Sequence, residues 1–332
     1  MKFLILFLGC IIVSCQNIKS EDTFSKTKLI PSKIDSLKSR FEVENLIRNC
    51  DINYKKFELK RIEELDRDYE RDSLTKLLAK KLKVNSSFFK ADFDNNGLTD
   101  LLVIGDNKKC YYGFENKSCD FNSLVLMNFK GGNYKISNVE RTSFNYSFVP
   151  KIEYINNNVV LVIYNPKSEY RGHVYEKERI DTLTYKFDTF IELANNHKQA
   201  NIEKIEYSTS PCFGTCPVYT LTIDNKKNAV LLAKEYNFSD EYNDNDEGFF
   251  NGKIEDEKYN ELINILNYID FSKLKDEYHV TATCQSGCML KITYNNGKVK
   301  TIGDYGQVGT YGLKLLYQKI SDLRFNQKWT KK

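Results

Sequence analysis

Two pairs of cysteines, each with three residues between the partners, constrain the C-terminal part of the chain more than any other feature. Cys212 and Cys216 lie within Ser210–Tyr219, where prolines flank the pair and a glycine separates its members. Cys284 and Cys288 follow about seventy residues later. Proline and glycine at these positions predict a rigid turn that leads into a strand. Both pairs precede predicted strands, so folding of one sheet would bring the pairs together.

Four cysteines in this arrangement are compatible with structural disulfides, a zinc site or a thiol-dependent redox centre. An oxidising compartment favours disulfides over free thiolates. A redox cysteine is best placed at the start of a helix, where its thiolate is stabilised, whereas the first pair here precedes a strand. We predict disulfides among Cys212, Cys216, Cys284 and Cys288. The sequence does not decide whether the bonds form within each pair or between the pairs. Bonds between the pairs would close longer loops, whereas local geometry can enforce bonds within each pair.

The front of the chain has the pattern of an export signal. A Met-Lys start is followed by the apolar run Phe3–Val13 and then by Ser14 and Cys15, which is typical of a secretory signal peptide. The run is too short to span a bilayer permanently. Ile12–Cys15 resembles a lipobox, so we predict that residues 1–15 are a lipoprotein signal peptide with Cys15 as the lipidated residue. An ordinary secretory signal is the alternative interpretation.

Residues 16–40 are polar and contain several Ser and Lys residues, which predicts a flexible tether between the anchor and the folded body. The predicted location is the bacterial cell envelope, where the lipid anchor would hold the protein to a membrane. The outer membrane is the favoured one. The net charge of +4 is small and lysines are interspersed with acidic residues, so we expect no nucleic-acid partner. The sequence does not identify the protein or small-molecule partner.

Three further cysteines lie in the N-terminal part. Cys110 and Cys119 bracket eight residues, a spacing that suits a disulfide across a loop or hairpin. Cys50 falls at helical spacing with Val43, Leu46 and Ile47, which predicts a small core residue. Pairing of Cys50 with another molecule is the alternative.

The predicted fold class is α+β, with N-terminal helices followed by a β-rich domain and then an antiparallel sheet that carries two helices on one face. Residues 41–83 show helical periodicity among dense charges, and residues 87–193 read as short strands separated by turns. We therefore divide the folded chain into residues 41–198 and residues 199–332. In the second domain an Asn-Gly turn at 296–297 predicts a tight hairpin.

The segment Ala91–Leu102 contains the spacing of a calcium-binding turn. Carboxylate and amide side chains at its alternate positions, with a glycine at the bend, are the oxygen ligands that a hard divalent cation needs from a short loop. It resembles the D-x-D-x-x-G-x-x-D turn of integrin-type repeats. The resemblance implies that calcium is the cofactor and that five residues supply its ligands: Asp92, Asp94, Asn96, Leu98 and Asp100. A metal-free turn with the same carboxylates capping backbone amides is the alternative.

The residues Cys212–Tyr219, written C-F-G-x-C-P-x-Y, resemble the start of a bacterial envelope domain of unknown function found in Bacteroidetes-type lipoproteins. The resemblance covers about residues 201–326 and includes a Gly-rich turn at Gly248–Gly252, an amphipathic helix at Tyr259–Leu266 and a last helix rich in leucine. The chain departs from this pattern at Thr283–Met289, where the second cysteine pair replaces an Asp-x-Pro segment. The resemblance implies a fold and a compartment but no activity.

The sequence contains no nucleophile elbow, phosphate-binding glycine loop or dinucleotide fingerprint. We therefore expect a lipid-anchored envelope protein with a non-catalytic binding or structural role and with no catalytic residues. The alternative function is a thiol-dependent redox protein that uses Cys212 and Cys216.

Overall fold

The computed structural model describes residues 29–66, 70–108, 120–141, 147–170, 173–194, 199–237 and 247–332. The predicted signal peptide with Cys15, residues 16–28 of the predicted tether, and Cys110 and Cys119 lie outside these residues. The predicted tether is wrong at its C-terminal end, because Ile34 and Leu37 are buried in the N-terminal core. The described part is mixed α and β with strands in the majority, so the predicted α+β class is confirmed in this general form. No helix among the described residues is long and apolar enough to cross a membrane.

The helices are α1 (Lys33–Ser36), α2 (Arg40–Cys50), α3 (Glu70–Leu82), α4 (Asp256–Tyr268) and α5 (Tyr311–Asn326). The strands before residue 199 are β1 (Glu58–Leu59), β2 (Phe88–Ala91), β3 (Asp100–Asp106), β4 (Phe121–Phe129), β5 (Asn133–Asn138), β6 (Val149–Ile155), β7 (Asn158–Asn165), β8 (Ser168–Tyr170), β9 (His173–Glu176), β10 (Arg179–Lys186) and β11 (Thr189–Glu192). The later strands are β12 (Ile202–Thr209), β13 (Val218–Asp224), β14 (Asn228–Glu235), β15 (Gly248–Lys253), β16 (Glu277–His279), β17 (Gly287–Tyr294), β18 (Lys298–Tyr305) and β19 (Trp329–Lys331).

The N-terminal part contains two antiparallel sheets and a small hairpin. The first sheet has the order β1-β3-β4-β5, with β2 also paired to β3, and the second has the order β11-β10-β7-β6. Strands β8 and β9 form the hairpin. Strand β3 is buried along its whole length because α2 and the neighbouring elements cover both of its faces.

The helical periodicity predicted over residues 41–83 is interrupted between α2 and α3. The side chain of Asp51 accepts the N–H of Asn53 at 2.8 Å, and this local bond ends α2 and begins a 3₁₀ turn. The chain then forms β1, which pairs with the end of β3. A β-carbon at Gly105 would collide with the carbonyl oxygen of Glu58. The close approach of β1 to β3 therefore depends on that glycine.

The C-terminal part is one large sheet with the order β16-β18-β17-β12-β13-β14-β15-β19. Its pairs are antiparallel except for β16 with β18. The sequence predicts hairpins that pair 218–223 with 229–233 and 290–294 with 298–302, and both are confirmed as β13–β14 and β17–β18. The predicted glycine-rich turn at Gly248–Gly252 is wrong, because this segment forms strand β15 between β14 and β19. A β-carbon at Gly252 would lie 2.8 Å from the indole of Trp329, so the glycine serves strand packing.

Alternate residues of the C-terminal sheet face a core that they share with α4 and α5. Tyr219, Leu221 and Ile223 of β13 are buried, and so are Leu262 of α4 and Leu316 of α5, all in one cluster. The residues between them on β13 are partly exposed. The opposite face of this sheet is therefore left without a covering helix in the described part of the chain.

The first residue of α5 joins the two parts of the chain. Tyr311 packs in the N-terminal core with residues of β3, β4, β7, β10 and β11. Its hydroxyl donates to the carbonyl of Val139 at 2.9 Å. The carboxylate of Glu192 accepts the N–H groups of Tyr311 at 2.6 Å and of Gly312 at 2.9 Å. The start of α5 is thus capped by a residue from the other part.

Candidate functional site

A groove of about 500 Å³ lies in the C-terminal sheet, where β12 and β18 end, β17 begins and β16 joins the edge. Its volume is within the range of clefts that hold small ligands. Strand alternation places the exposed lining residues on the face that no helix covers. The groove is thus accessible without any movement of α4 or α5.

The lining follows from the strand register. One row across the strands contains Ser208, Met289, Gly303 and Glu277, in that order. The next row contains Ser210, Gly287, Tyr305 and His279. Each row combines a serine hydroxyl, a large side chain and a charged or imidazole side chain around a glycine. The groove can therefore make both apolar contacts and hydrogen bonds.

The two glycines produce the depression. A β-carbon at Gly303 would meet nothing nearer than the Asp276 carbonyl oxygen at 3.9 Å. Gly303 is absent from the residues with positive φ, so its backbone accepts other amino acids. A larger side chain at this position would fill the groove without straining the strand, which makes Gly303 a useful site for substitution.

Two reactive side chains lie on the opposite, inward side of the same strands. Cys288 of β17 is buried, and burial together with the nearby Asp304 raises the pKa of its thiol to about 12. Asp304 of β18 is also buried and accepts the N–H groups of Val308 at 2.8 Å and Gly309 at 2.9 Å. Burial raises the pKa of this carboxyl as well. The thiol is therefore protonated near neutral pH and is a poor nucleophile.

The cysteine turn before β13 stands beside the groove. Cys212 and Cys216 form a disulfide with a Cα–Cα distance of 5.7 Å. The turn is hydrogen-bonded to the loop before β17, since the N–H of Phe213 donates to the carbonyl of Cys284 at 3.2 Å. The side chain of Phe213 is 90% exposed. The disulfide loop therefore holds an aromatic ring out in solvent.

Of the four C-terminal cysteines predicted to form disulfides, only two are bonded in the structure. Cys212 and Cys216 are bonded to each other, whereas Cys284 is exposed and unbonded and Cys288 is buried and unbonded. Neither the cross-bonds nor a bond within the second pair is present. Strand alternation explains the difference, because Cys288 points into the core while Cys284 lies in the preceding loop. Cys50 is partly buried against the N-terminal core, where its helical spacing places it.

The redox alternative gains no support from this arrangement. The cysteine turn leads into β13, and a strand provides no helix dipole to stabilise a thiolate at Cys212. Cys212 and Cys216, the residues that the redox alternative would use, therefore lie in a short loop before a strand and not at the start of a helix.

The predicted calcium ligands converge in part. One carboxylate oxygen from each of Asp92, Asp94 and Asp100 lies within 4.8 Å of the others. The amide oxygen of Asn96 accepts the N–H of Leu98 at 2.7 Å, and its amide nitrogen faces Asp94 at 2.9 Å. Leu98 forms an isolated parallel bridge with Ile30. The three carboxylates are thus brought together, while the side chain of Asn96 is directed to local hydrogen bonds.

The carboxylates of this loop cap backbone amides. Asp92 accepts from Asn96 at 3.1 Å and from Gly97 at 2.9 Å, and Asp100 accepts from Phe93 at 2.8 Å. A carboxylate has about four lone-pair positions, so these bonds leave room for a cation. Burial, followed by the charges of the two other aspartates, raises the pKa of Asp100 to about 7. The donor set therefore fits a hard cation, which would offset the mutual repulsion of the carboxylates.

Sequence reasoning missed the groove itself. The sequence pattern singles out neither His279 nor Gly303 as part of a site. The available signal was the glycine at 303 in a strand interior, since such glycines often mark a place where another group approaches closely. The pairing of β16 with β18 could not be foreseen, because β16 has three residues and joins in parallel.

Comparison with known families identifies one domain. Residues 203–324 match the family described as a domain of unknown function, DUF6438, so a DUF6438 domain is present in the chain. It covers the C-terminal sheet from β12 to α5, including the cysteine turn and the groove. No curated protein and no solved structure gives a significant match.

Proposed function

We propose that this protein is a lipid-anchored component of the bacterial cell envelope that binds a partner without catalysing a reaction. The observation that carries the proposal is the groove beside the cysteine turn. Its open lining contains Met289, Tyr305, Glu277 and His279, whereas the thiol and carboxyl beneath it are turned into the core. A surface that combines apolar, aromatic and polar groups, with the Cys288 thiol and the Asp304 carboxyl turned into the core, is suited to recognition.

The arrangement also favours a preformed site. The strands that carry the groove are joined by long, regular ladders, with eight paired positions between β17 and β18. The hydroxyl of Ser210 accepts the N–H of Gly287 at 2.8 Å and ties the cysteine turn to the groove rim. A partner would therefore meet a rigid surface and lose little free energy to ordering it.

Photo-crosslinking in intact envelopes tests the groove. A photoreactive amino acid at Met289, which is 53% exposed, should give a defined crosslinked product. The control is the same amino acid at Val230, which is 42% exposed on the same sheet face but away from the groove. Adding Gly303→Leu should abolish the Met289 product because leucine fills the groove. Equal products from both positions, or a product that survives Gly303→Leu, would contradict the proposal.

The anchor is proposed from the lipobox-like residues Ile12–Cys15. Cys15→Ala should abolish incorporation of labelled fatty acid into the protein, because the thiol that receives the lipid is missing. Cys10→Ala is the matched control, since Cys10 lies inside the apolar run and its loss should leave labelling unchanged. Labelling that persists in Cys15→Ala would rule out Cys15 as the lipidated residue.

Calcium is proposed as a structural ligand of the loop at residues 92–100, where three carboxylates meet. Affinities of extracellular calcium sites are about 10⁻⁴ to 10⁻³ M, so 10 mM Ca²⁺ should stabilise the fold by about 1–3 kcal/mol and raise its melting temperature. Asp94→Ala should remove this increase. Asp224→Ala is the control, because Asp224 also caps a turn, at 2.9 Å from the N–H of Lys226, but lies outside the carboxylate cluster. An unchanged melting temperature of the wild type in calcium would contradict the site.

A further inference from the structure

The cysteine turn and the groove form a complementary pair on one end of the same sheet. Phe213 is the most exposed of the large apolar side chains described, at 90%. It stands at the tip of a loop that the Cys212–Cys216 disulfide closes. The groove beside it has a glycine floor and is lined by Met289 and Tyr305. The molecule therefore presents an aromatic projection and, next to it, a depression that is suited to an aromatic ring.

The projection is held in place by the backbone. The N–H of Phe213 donates to the carbonyl of Cys284 at 3.2 Å, and the N–H of Gly214 donates to the carbonyl of Cys212 at 3.0 Å. The N–H of Ser210 donates to the carbonyl of Gly287 at 2.9 Å, which joins the base of the loop to the groove. A loop whose backbone is already fixed loses little backbone freedom when the side chain at its tip is buried in a partner.

The lining of the groove suits a phenyl ring. Thioethers and aromatic rings make favourable contacts with aromatic side chains, each contributing a modest amount beyond simple burial. Met289 and Tyr305 supply one group of each kind, on adjacent strands. Gly303 lies directly opposite Met289 in the ladder, so a ring placed over the glycine would contact Met289 from the side. An aromatic anchor in such a pocket is the usual centre of a protein interface.

We propose that the partner in the groove is a second copy of this chain, with Phe213 of each copy inserted into the groove of the other. A two-fold interface requires that one surface patch contain both members of each contacting pair. The patch formed by Phe213 and the groove satisfies this requirement. Chains that are anchored in one membrane would also meet at a raised effective concentration. The inference rests on the proposed binding role of the groove and names its partner.

Sedimentation equilibrium on the chain from Gln16 onward tests self-association. This form retains every residue that the structure describes and lacks only the signal and the lipid. The wild type should show a concentration-dependent dimer. Phe213→Ser and Gly303→Leu should each weaken dimerisation at least about tenfold, whereas Phe249→Ser, which removes an exposed ring from the same sheet face, should not. Thermal unfolding of each variant confirms that it is folded. Met289→Lys replaces Gly303→Leu if that variant does not fold.

A mixture of the two defective variants gives the sharper result. Phe213→Ser retains an intact groove and Gly303→Leu retains an intact ring, so a 1:1 mixture should form a heterodimer at concentrations where each variant alone is monomeric. A monomeric wild type at millimolar concentration would overturn the inference, and so would a mixture of folded variants that fails to associate. If Met289 nevertheless gives a specific crosslink to another envelope protein, the binding role of the groove stands and only self-association is refuted.

Discussion

Replacing Tyr311 with alanine is expected to lower the free energy of unfolding by about 3–5 kcal/mol, the usual cost of truncating a large buried aromatic residue. Tyr311 is 5% exposed and lies at the first position of α5, yet it packs in the core of the N-terminal part. Its removal would leave a cavity and an unpaired carbonyl at Val139, to which its hydroxyl donates at 2.9 Å. Urea unfolding followed by far-UV circular dichroism measures the change.

Two control variants separate the contributions to this effect. Tyr311→Phe keeps the ring and removes only the hydrogen bond, so its cost should be about 1 kcal/mol. Tyr154→Ala removes a ring that is 69% exposed and should change stability by less than about 0.5 kcal/mol. A cost for Tyr311→Ala no larger than that of Tyr311→Phe would show that the contact between the two parts contributes little to stability.

Glu192→Ala is expected to cost about 1–3 kcal/mol, because two amide groups at the start of α5 would lose their acceptor in a buried setting. The carboxylate accepts from Tyr311 at 2.6 Å and from Gly312 at 2.9 Å. Because this carboxylate lies at a helix N-terminus, its charge also interacts favourably with the helix dipole. The same unfolding measurement applies, and Glu203→Ala, which removes an acceptor at an exposed turn, is the matched control. A cost equal to that of the control would contradict the capping role.

The contribution of Glu192 should also depend on pH. Burial, only partly offset by its hydrogen bonds, raises the pKa of this carboxyl above its usual value. The folded protein therefore holds this proton more tightly than the unfolded chain does, and the free energy of unfolding falls as the pH rises from about 4.5 through the raised pKa. In Glu192→Gln this part of the pH dependence is missing. The difference in stability between wild type and variant should thus be larger near pH 4.5 than near pH 7.5, and a difference that grows with pH would contradict the raised pKa.

The hairpins of the C-terminal part could be predicted because their determinants are local. Alternating apolar residues on β13 and β14 and the Asn-Gly turn between β17 and β18 specify pairing between neighbours in the chain. Asn295, Asn296 and Gly297 all adopt positive φ. They form a three-residue connection between the paired residues Tyr294 and Lys298, one residue longer than a two-residue primed turn. The apolar face of α5 could be predicted in the same way, because Leu313, Leu316, Tyr317 and Ile320 recur at helical spacing. The clustering of Asp92, Asp94 and Asp100 also followed from their positions within nine residues of one turn.

The break in helical structure after α2 could not be predicted from periodicity, because it depends on contacts with residues far away in the chain. Phe57 and Ile62 have helical spacing with earlier apolar residues, yet they are buried because β1 and a 3₁₀ turn pack on the N-terminal sheet. The pairing of β1 with the far end of β3 becomes possible only where Gly105 allows a close approach. Tertiary packing therefore overrode a local pattern.

The sequence by itself determined the cysteine turn before a strand and the main hairpins, because each depends on residues a few positions apart. The export signal at the front stays a prediction. Only the tertiary structure decided which cysteines meet, since the orientation of Cys288 follows from its register with Thr209 and Asp304. The groove likewise exists because β16 joins β18 from a distant segment and places Glu277 and His279 beside Gly303 and Tyr305. Long-range register sets such neighbours, and a one-residue shift would reverse every side chain between the core and the open face.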